Sequence, residues 1–174
     1  MKRLSGWAGF STLVALAVIL DQAIKALVEA SLPLHQVVPV LPFLAWYRTY
    51  NEGIAFSLLS GFGDLGLIIL SVVVVGFVLV LKAQTSKART LAHLGFAFII
   101  GGAIGNLIDR VLHGYVIDYV LVHAGRWSFA VFNLADAFIT IGAALIILEE
   151  LMAWQRSRAG GRSADNGDDA PGES

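Results

Sequence analysis

Asn106, Asp109, Arg110 and Asp118 fall within GGAIGNLIDRVLHGYVIDYV, residues 101–120, and Asn133 and Asp136 within FNLADAF, residues 132–138. His113 aside, both stretches are otherwise apolar. Ionisable groups in membrane-grade apolar runs are costly in lipid, so a functional role is the first explanation to consider for them. Asp118 and Asp136 carry the most chemistry. If folding brings their carboxylates into hydrogen-bond contact they share a proton, because like charges so close cannot both ionise and one pKa rises. The ionised partner then takes a proton from water, while the protonated one polarises a carbonyl and later donates to the leaving amine. That is peptide hydrolysis without a covalent intermediate or a metal. The structural alternative is that Asp118 caps a turn and Asp136 pairs with Arg110 or Lys25, and spacing alone leaves both readings open.

Around this pair stand groups suited to support. Asp21 and Lys25 are spaced i, i+4, share a helix face and can pair with each other or with a neighbouring helix. Asn51, Asn106 and Asn133 are neutral donor-acceptors that can hold a substrate backbone or orient an aspartate; their other role is turn formation or interhelical hydrogen bonding. Asp109 and Arg110 suit ion pairs that stitch helix ends together, and an arginine can also hold a phosphate or a carbonyl. Gly101 and Gly105 form a GxxxG, with Gly102 and Ala103 keeping that face small for a close helix neighbour.

Other chemistries find no support. The chain has no cysteine, hence no thiolate nucleophile and no CxxC site. His35, His93, His113 and His123 are dispersed without an HExxH, so no metal site is expected. No GxSxG turn presents a serine, and Lys25 as a base for one has a nearer partner in Asp21. A basic stripe with interleaved aromatics is absent, which argues against nucleic-acid binding. No cofactor is indicated.

The elements that must position these residues are membrane helices. The 174 residues are 57% hydrophobic and 14% charged, against roughly 25% charged in soluble domains. Apolar spans are expected at about 7–28, 65–81, 91–108 and 130–154, in one domain over 1–154. A basic start before an apolar run also describes a cleaved signal peptide, but this run is long enough to span and three more follow it. Pro33, Pro39 and Pro42 exclude a continuous helix between spans one and two, where β-branched and aromatic residues predict short strands with Trp46, Tyr47 and Tyr50 at the interface. Residues 65–81 read as a wall facing lipid, and Lys82, Lys87 and Arg89 as a basic loop. Residues 155–174 have the composition of a disordered tail.

Four spans put both termini on one side. Lys2, Arg3, Lys82, Lys87, Arg89, Arg156, Arg158 and Arg162 gather there, against Arg48, Arg110 and Arg126 opposite, so both termini are expected in the cytoplasm. The costly polar groups then all fall near the outer leaflet, with Asp136 on the order of 10 Å below the outer start of its helix. Water and a lipid-embedded substrate can both reach that depth.

DQAIKALV (21–28), NEGIAFS (51–57), GGAIGNLIDR with GYVIDYV (101–110 and 114–120) and FNLADAF (132–138) stand in the order and spacing of the lipoprotein signal peptidases, the type II signal peptidases of bacteria. The resemblance covers roughly residues 7–150. It implies a polytopic aspartyl endopeptidase of the inner membrane that removes the signal peptide from diacylglyceryl-modified prolipoproteins, cutting just before the lipidated cysteine. By motif, Asp118 and Asp136 match the catalytic pair, and Asp21, Lys25, Asn51, Gly53, Asn106, Asp109, Arg110, Asn133 and Ala135 match supporting positions. Tyr119 stands where Phe is more usual, and Ile54 where a smaller residue is frequent. The implied fold is four transmembrane helices with a small extracytoplasmic β-cradle and a short helical segment; the partners are prolipoprotein substrates and membrane lipids, and a monomer is expected. Gly114 and Gly125 flank an amphipathic stretch that suggests a helical lid over 111–131.

Two other classes remain in view from the residues alone. Intramembrane Asp, Lys and Asn also build proton or cation paths, although a transporter needs polar steps on both sides and none continues through 65–81. A structural assembly factor would lose association, not a reaction, when Asp118 or Asp136 is neutralised.

Overall fold

The computed structural model describes residues 6–53, 63–125 and 127–165. Four helices are long and apolar enough to cross a membrane: α1 (Trp7–Ser31), α2 (Gly63–Gln84), α3 (Thr90–His113) and α4 (Leu134–Asp165). Between them lie β1 (Val37–Leu41), β2 (Leu44–Asn51), β3 (Val116–Ala124) and β4 (Trp127–Phe132), which form one antiparallel sheet in the order β1-β2-β3-β4. The expected class, membrane helices with a small β part, is the one found.

α3 is the hub. α1, α2 and α4 all pack on it, whereas most of the surface of the other three helices faces outward. Phe10, Val78, Ala92, Phe96, Ala97 and Ile100 are buried together in the half of the bundle remote from the sheet. At the other end Val28 of α1 packs against Ile117 and Tyr119 of β3. The sheet is thereby seated on the last turns of α1, and β3 lies next to the helices.

Several boundaries differ from the sequence expectation for identifiable reasons. α3 continues to His113, past Ile108, until Gly114 adopts φ 80° and donates its N–H to the Arg110 carbonyl, a left-handed cap that glycine accepts without strain. Asp109 and Arg110 are therefore inside the helix. α4 begins at Leu134, not Ala130, because 127–132 pair with β3 as a strand. Asp136 thus sits in the first turn, not some 10 Å into the helix. The lid expected over 111–131 is a β-hairpin: VIDYVLV is rich in β-branched residues suited to a pleated surface, and β2 offers an edge for it to pair with. The short helical segment is not found among the described residues, and Ile54 to Phe62 lie outside them.

Pro39 is accommodated in β1, an edge strand whose pairing with β2 turns irregular just after it. Lys82, expected in a loop, belongs to the last turn of α2 and is 4% exposed. α4 runs on to Asp165, past Gln155 where a structureless tail was expected; residues 166–174 lie outside the described part.

Candidate active site at the junction of α1, α3, β3 and α4

The first turn of α4 draws its caps from β3, α1 and the residue that precedes it. Three successive backbone N–H groups at its start, which the helix itself cannot satisfy, find side chains: Leu134 donates to the Tyr119 hydroxyl at 3.0 Å, Ala135 to Asp21 Oδ1 at 3.0 Å and Asp136 to Asn133 Oδ1 at 3.0 Å. Asp136 Oδ2 returns to accept the Asn133 N–H at 3.3 Å. Asn133 and Asp136 therefore form a reciprocal capping pair. The negative side chains at this end also suit the helix dipole.

From there a chain of amides reaches Asp118. Asn133 Nδ2 donates to Asp118 Oδ1 at 2.6 Å and to Asn106 Oδ1 at 3.2 Å, while Asn106 Nδ2 donates to Asp136 Oδ1 at 2.8 Å. Asn133 therefore touches both carboxylates, Asp118 through its side-chain amide and Asp136 through its backbone N–H, and a second route between them runs Asp118, Asn133, Asn106, Asp136 through side chains alone. Asn51 Nδ2 holds Asp118 Oδ2 at 3.0 Å, and Asn51 Oδ1 accepts the Gly53 N–H at 2.9 Å. Register explains the Asn51 contact: Thr49 is paired with Asp118 across β2 and β3, so Asn51, two residues on, is its diagonal neighbour on the same face.

Beneath the carboxylates lies a buried ion cluster. Lys25 Nζ meets Asp109 Oδ2 at 2.7 Å, Asp21 Oδ2 at 2.8 Å and Asn106 Oδ1 at 3.0 Å, which engages all three of its donors. Asp109 Oδ2 also accepts the Ile117 N–H at 3.2 Å, tying α3 to the start of β3. Gln22 Nε2 reaches Asp109 Oδ1 at 2.8 Å and the Gly105 carbonyl at 3.2 Å. α1 can come this close because a Cβ on Gly105 would stand 2.5 Å from Asp21 Oδ2. On the other face of α3, Gly102 abuts the Ala135 carbonyl, which brings the start of α4 against Asn106. Arg110 Nη1 contacts the Asn106 carbonyl at 3.4 Å.

Asp118 is buried, and its carboxyl is pushed up to about 6, first by desolvation and second by the negative charge of Asp136. Hydrogen bonds from Asn51 and Asn133 act in the opposite direction. Burial likewise lifts the Tyr119 phenol to about 12, so it stays neutral at ordinary pH. No group of three or more potential metal ligands occurs among the described residues.

All eleven residues singled out from the sequence belong to this neighbourhood or its borders, with Gly53 bonded to Asn51 and Ala135 to Asp21. Asp109 pairs with Lys25. Two contributors were not among them. Gln22 is a polar residue next to Asp21 in an apolar span, a signal already visible in the chain. The Tyr119 hydroxyl had no such signal, since its acceptor role depends on where α4 begins.

The pattern described as Signal peptidase (SPase) II matches residues 13–152. A lipoprotein signal peptidase of Mesorhizobium japonicum is 55% identical over 150 residues, 86% of this chain and 89% of that one. Proteins of the same name from Brucella ovis and Brucella canis are 58% identical over 158 residues, 91% of this chain and 98% of theirs. Two bacterial membrane enzymes solved in meso share the fold. One, at 1.9 Å resolution, has a TM-score of 0.74 and 27% identity over 83% of this chain and 94% of that one; the other, at 2.3 Å, has 0.72 and 24% over 96% of each.

Proposed function

The chain belongs to the signal peptidase II family and is a peptidase, and on that premise we propose that it removes the signal peptide from diacylglyceryl-modified prolipoproteins, using Asp118 and Asp136 as a catalytic pair. The observation that carries the pair is electrostatic and geometric at once. Two carboxylates from a strand and a helix are joined by Asn133 and Asn106, and the charge on one raises the pKa of the other.

Asp118, its carboxyl pushed up to about 6, is the partner that holds a proton at and below that pH. Asp136 takes a proton from a water molecule as the water oxygen attacks the scissile carbonyl carbon, while the Asp118 proton is donated to the carbonyl oxygen. The tetrahedral intermediate collapses by breaking the C–N bond, and the leaving amine is protonated from the pair. The asparagines fix the carboxylates without charge of their own. Each carboxylate oxygen keeps a lone pair for water or substrate after accepting its protein hydrogen bond. Lys25, Asp21 and Asp109 act as the platform that locks α1, α3, β3 and the start of α4 in register.

The chain would lie in the inner membrane as a monomer with both termini cytoplasmic. The carboxylates would then stand at the outer leaflet, where a substrate held by its lipid and its signal helix presents the bond just before the modified cysteine. Exposed Val38, Val40, Phe43, Trp127 and Phe129 on the sheet and its turns suit contact with that interface.

The test is cleavage of a purified diacylglyceryl-prolipoprotein, read by gel shift and by the mass of the released peptide. The wild type should cut it. Asp118→Asn and Asp136→Asn should each lose at least about 100-fold while melting like a folded protein. Full activity in either variant removes the pair as the mechanism.

A further inference from the structure

At the end of the bundle remote from the aspartates, the Lys82 ammonium lies 3.6 Å from the centroid of the Trp7 ring and 5.0 Å from that of Phe10. Rings attract a cation by their electron-rich faces but leave its charge unneutralised. The carboxylates nearby are committed elsewhere: Glu149 accepts the Leu91 N–H at 3.1 Å and approaches Arg156 at 3.8 Å, and Glu150 pairs with Arg89. Among the described residues no carboxylate forms an ion pair with Lys82.

The same two rings, buried Phe10 and exposed Trp7, line one end of an apolar groove of about 470 Å³ whose walls include Val14 and Val18 of α1, Val75 and Leu79 of α2, and Ile104 of α3. It exists because α1 and α2 each pack on α3 and hardly touch one another. Its lining on α1 runs from Trp7 to Ile19, which at about 1.5 Å per residue is roughly 18 Å of helix. The hydrocarbon of one leaflet is about 15 Å deep. A groove one leaflet long, apolar but for Ser11, with a cation against the rings at one end, has the dimensions and polarity of one acyl chain and its phosphate.

We propose that the groove between α1 and α2 binds an anionic phospholipid, with an acyl chain along Val14, Val18 and Leu79 and the headgroup phosphate at Lys82. Lys87, in the loop after α2, adds positive charge on the same side. Negatively charged lipids already accumulate near such basic segments, and the groove converts that accumulation into a seated molecule. The lipid fills the space between α1 and α2 and holds α1, which carries Asp21 and Lys25, against α3. This site is independent of the peptidase reading.

The test uses Trp7 as a reporter. The chain has 4 tryptophans, so the parent is the full-length protein with Trp46, Trp127 and Trp154 changed to Phe, reconstituted in phosphatidylcholine bilayers. Brominated phosphatidylglycerol and brominated phosphatidylcholine, at equal mole fraction, are compared as quenchers of Trp7. A preference of about tenfold for phosphatidylglycerol is expected, falling to near one in Lys82→Gln and retained in Lys82→Arg. Ala15→Leu, which narrows the groove, should reduce quenching by both lipids. A ratio near one in the parent, or a preference unchanged in Lys82→Gln, overturns the proposal. So does loss of quenching by both lipids as the protein-to-lipid ratio rises, which would assign the groove to a second copy of the chain. If Lys82→Gln does not fold, a preference lost in Lys82→Arg as well, with the protein still folded, overturns it.

Discussion

Asp21 Oδ1 accepts the backbone N–H of Ala135 at 3.0 Å, joining residues 114 apart in the chain. The same carboxylate holds Lys25 through Oδ2 at 2.8 Å, so one side chain connects the buried ammonium to the first turn of α4. Asp136 is the next residue along that turn. The position of a proposed catalytic carboxylate therefore depends on a salt bridge in a different helix, and disturbance of the ion cluster should reach the chemistry through α4.

Removing Lys25 tests that connection. Lys25→Met leaves Asp21 and Asp109 buried without their cation, and breaking a buried pair in this way costs about 3–5 kcal/mol. Adding Asp109→Asn should restore part of the loss, because it removes one of the stranded charges. Unfolding in detergent mixtures measures both variants, and purely additive losses would contradict the shared cluster.

The pH dependence follows from Asp118. Its pKa rises from 3.8 in the unfolded chain to about 6 in the folded one, so the folded state binds more protons between those values and its stability falls as pH rises through that window. The penalty is complete above about 6 and amounts to the order of 3 kcal/mol. Wild type should lose melting temperature between pH 4 and pH 7 by an increment that Asp118→Asn lacks. Parallel profiles for the two proteins would refute this origin.

Catalysis should carry the same signature. With Asp118 as the proton-holding partner, kcat/KM for prolipoprotein cleavage declines as pH rises through about 6, the value for the free enzyme. A rate that climbs through that pH would give Asp118 the opposite role.

Gly105→Ala places a methyl against Asp21. Overpacking of this kind costs about 1–3 kcal/mol, and here the displaced atom belongs to the carboxylate that caps α4. Cleavage should fall along with stability. Gly76→Ala, which meets nothing within 4 Å, is the matched control and should lower neither, since alanine is the better helix former.

Tyr119→Phe removes the acceptor for the Leu134 N–H while keeping the ring in its apolar contacts with Val28 and Ile117. A loss of about 1 kcal/mol is expected. The steady-state cleavage rate should drop less than tenfold, since Asp21 and Asn133 still cap the next two residues. A loss as large as that of Asp136→Asn would make the hydroxyl part of the reaction.

Much was legible in the chain before folding. The four apolar runs mark the spans, because only helices satisfy backbone polar groups in lipid without a partner, and the polar residues placed within those runs mark the candidate site because lipid makes them expensive. The prolines and β-branched residues around β1 and β2 announced strands. The local signals were weaker where a partner element decides the outcome. Residues 111–131 have an amphipathic texture compatible with a helix, and only the open edge of β2 selects a hairpin. Ala130 continues an apolar run, yet pairing with β3 holds it in a strand and delays α4 to Leu134.

Sequence by itself determined which residue types would be buried together and at which end of the bundle, since hydropathy and charge spacing are properties of the chain. Tertiary structure alone decided who holds whom. That Lys25 serves Asp21, Asp109 and Asn106, and that the side-chain path between Asp118 and Asp136 runs through Asn133 and Asn106, depends on distances of a few ångströms between elements far apart in sequence. Such contacts are set by how closely Gly102 and Gly105 let α4 and α1 approach α3, and hydrogen bonds weaken too steeply with geometry for composition or spacing to specify them.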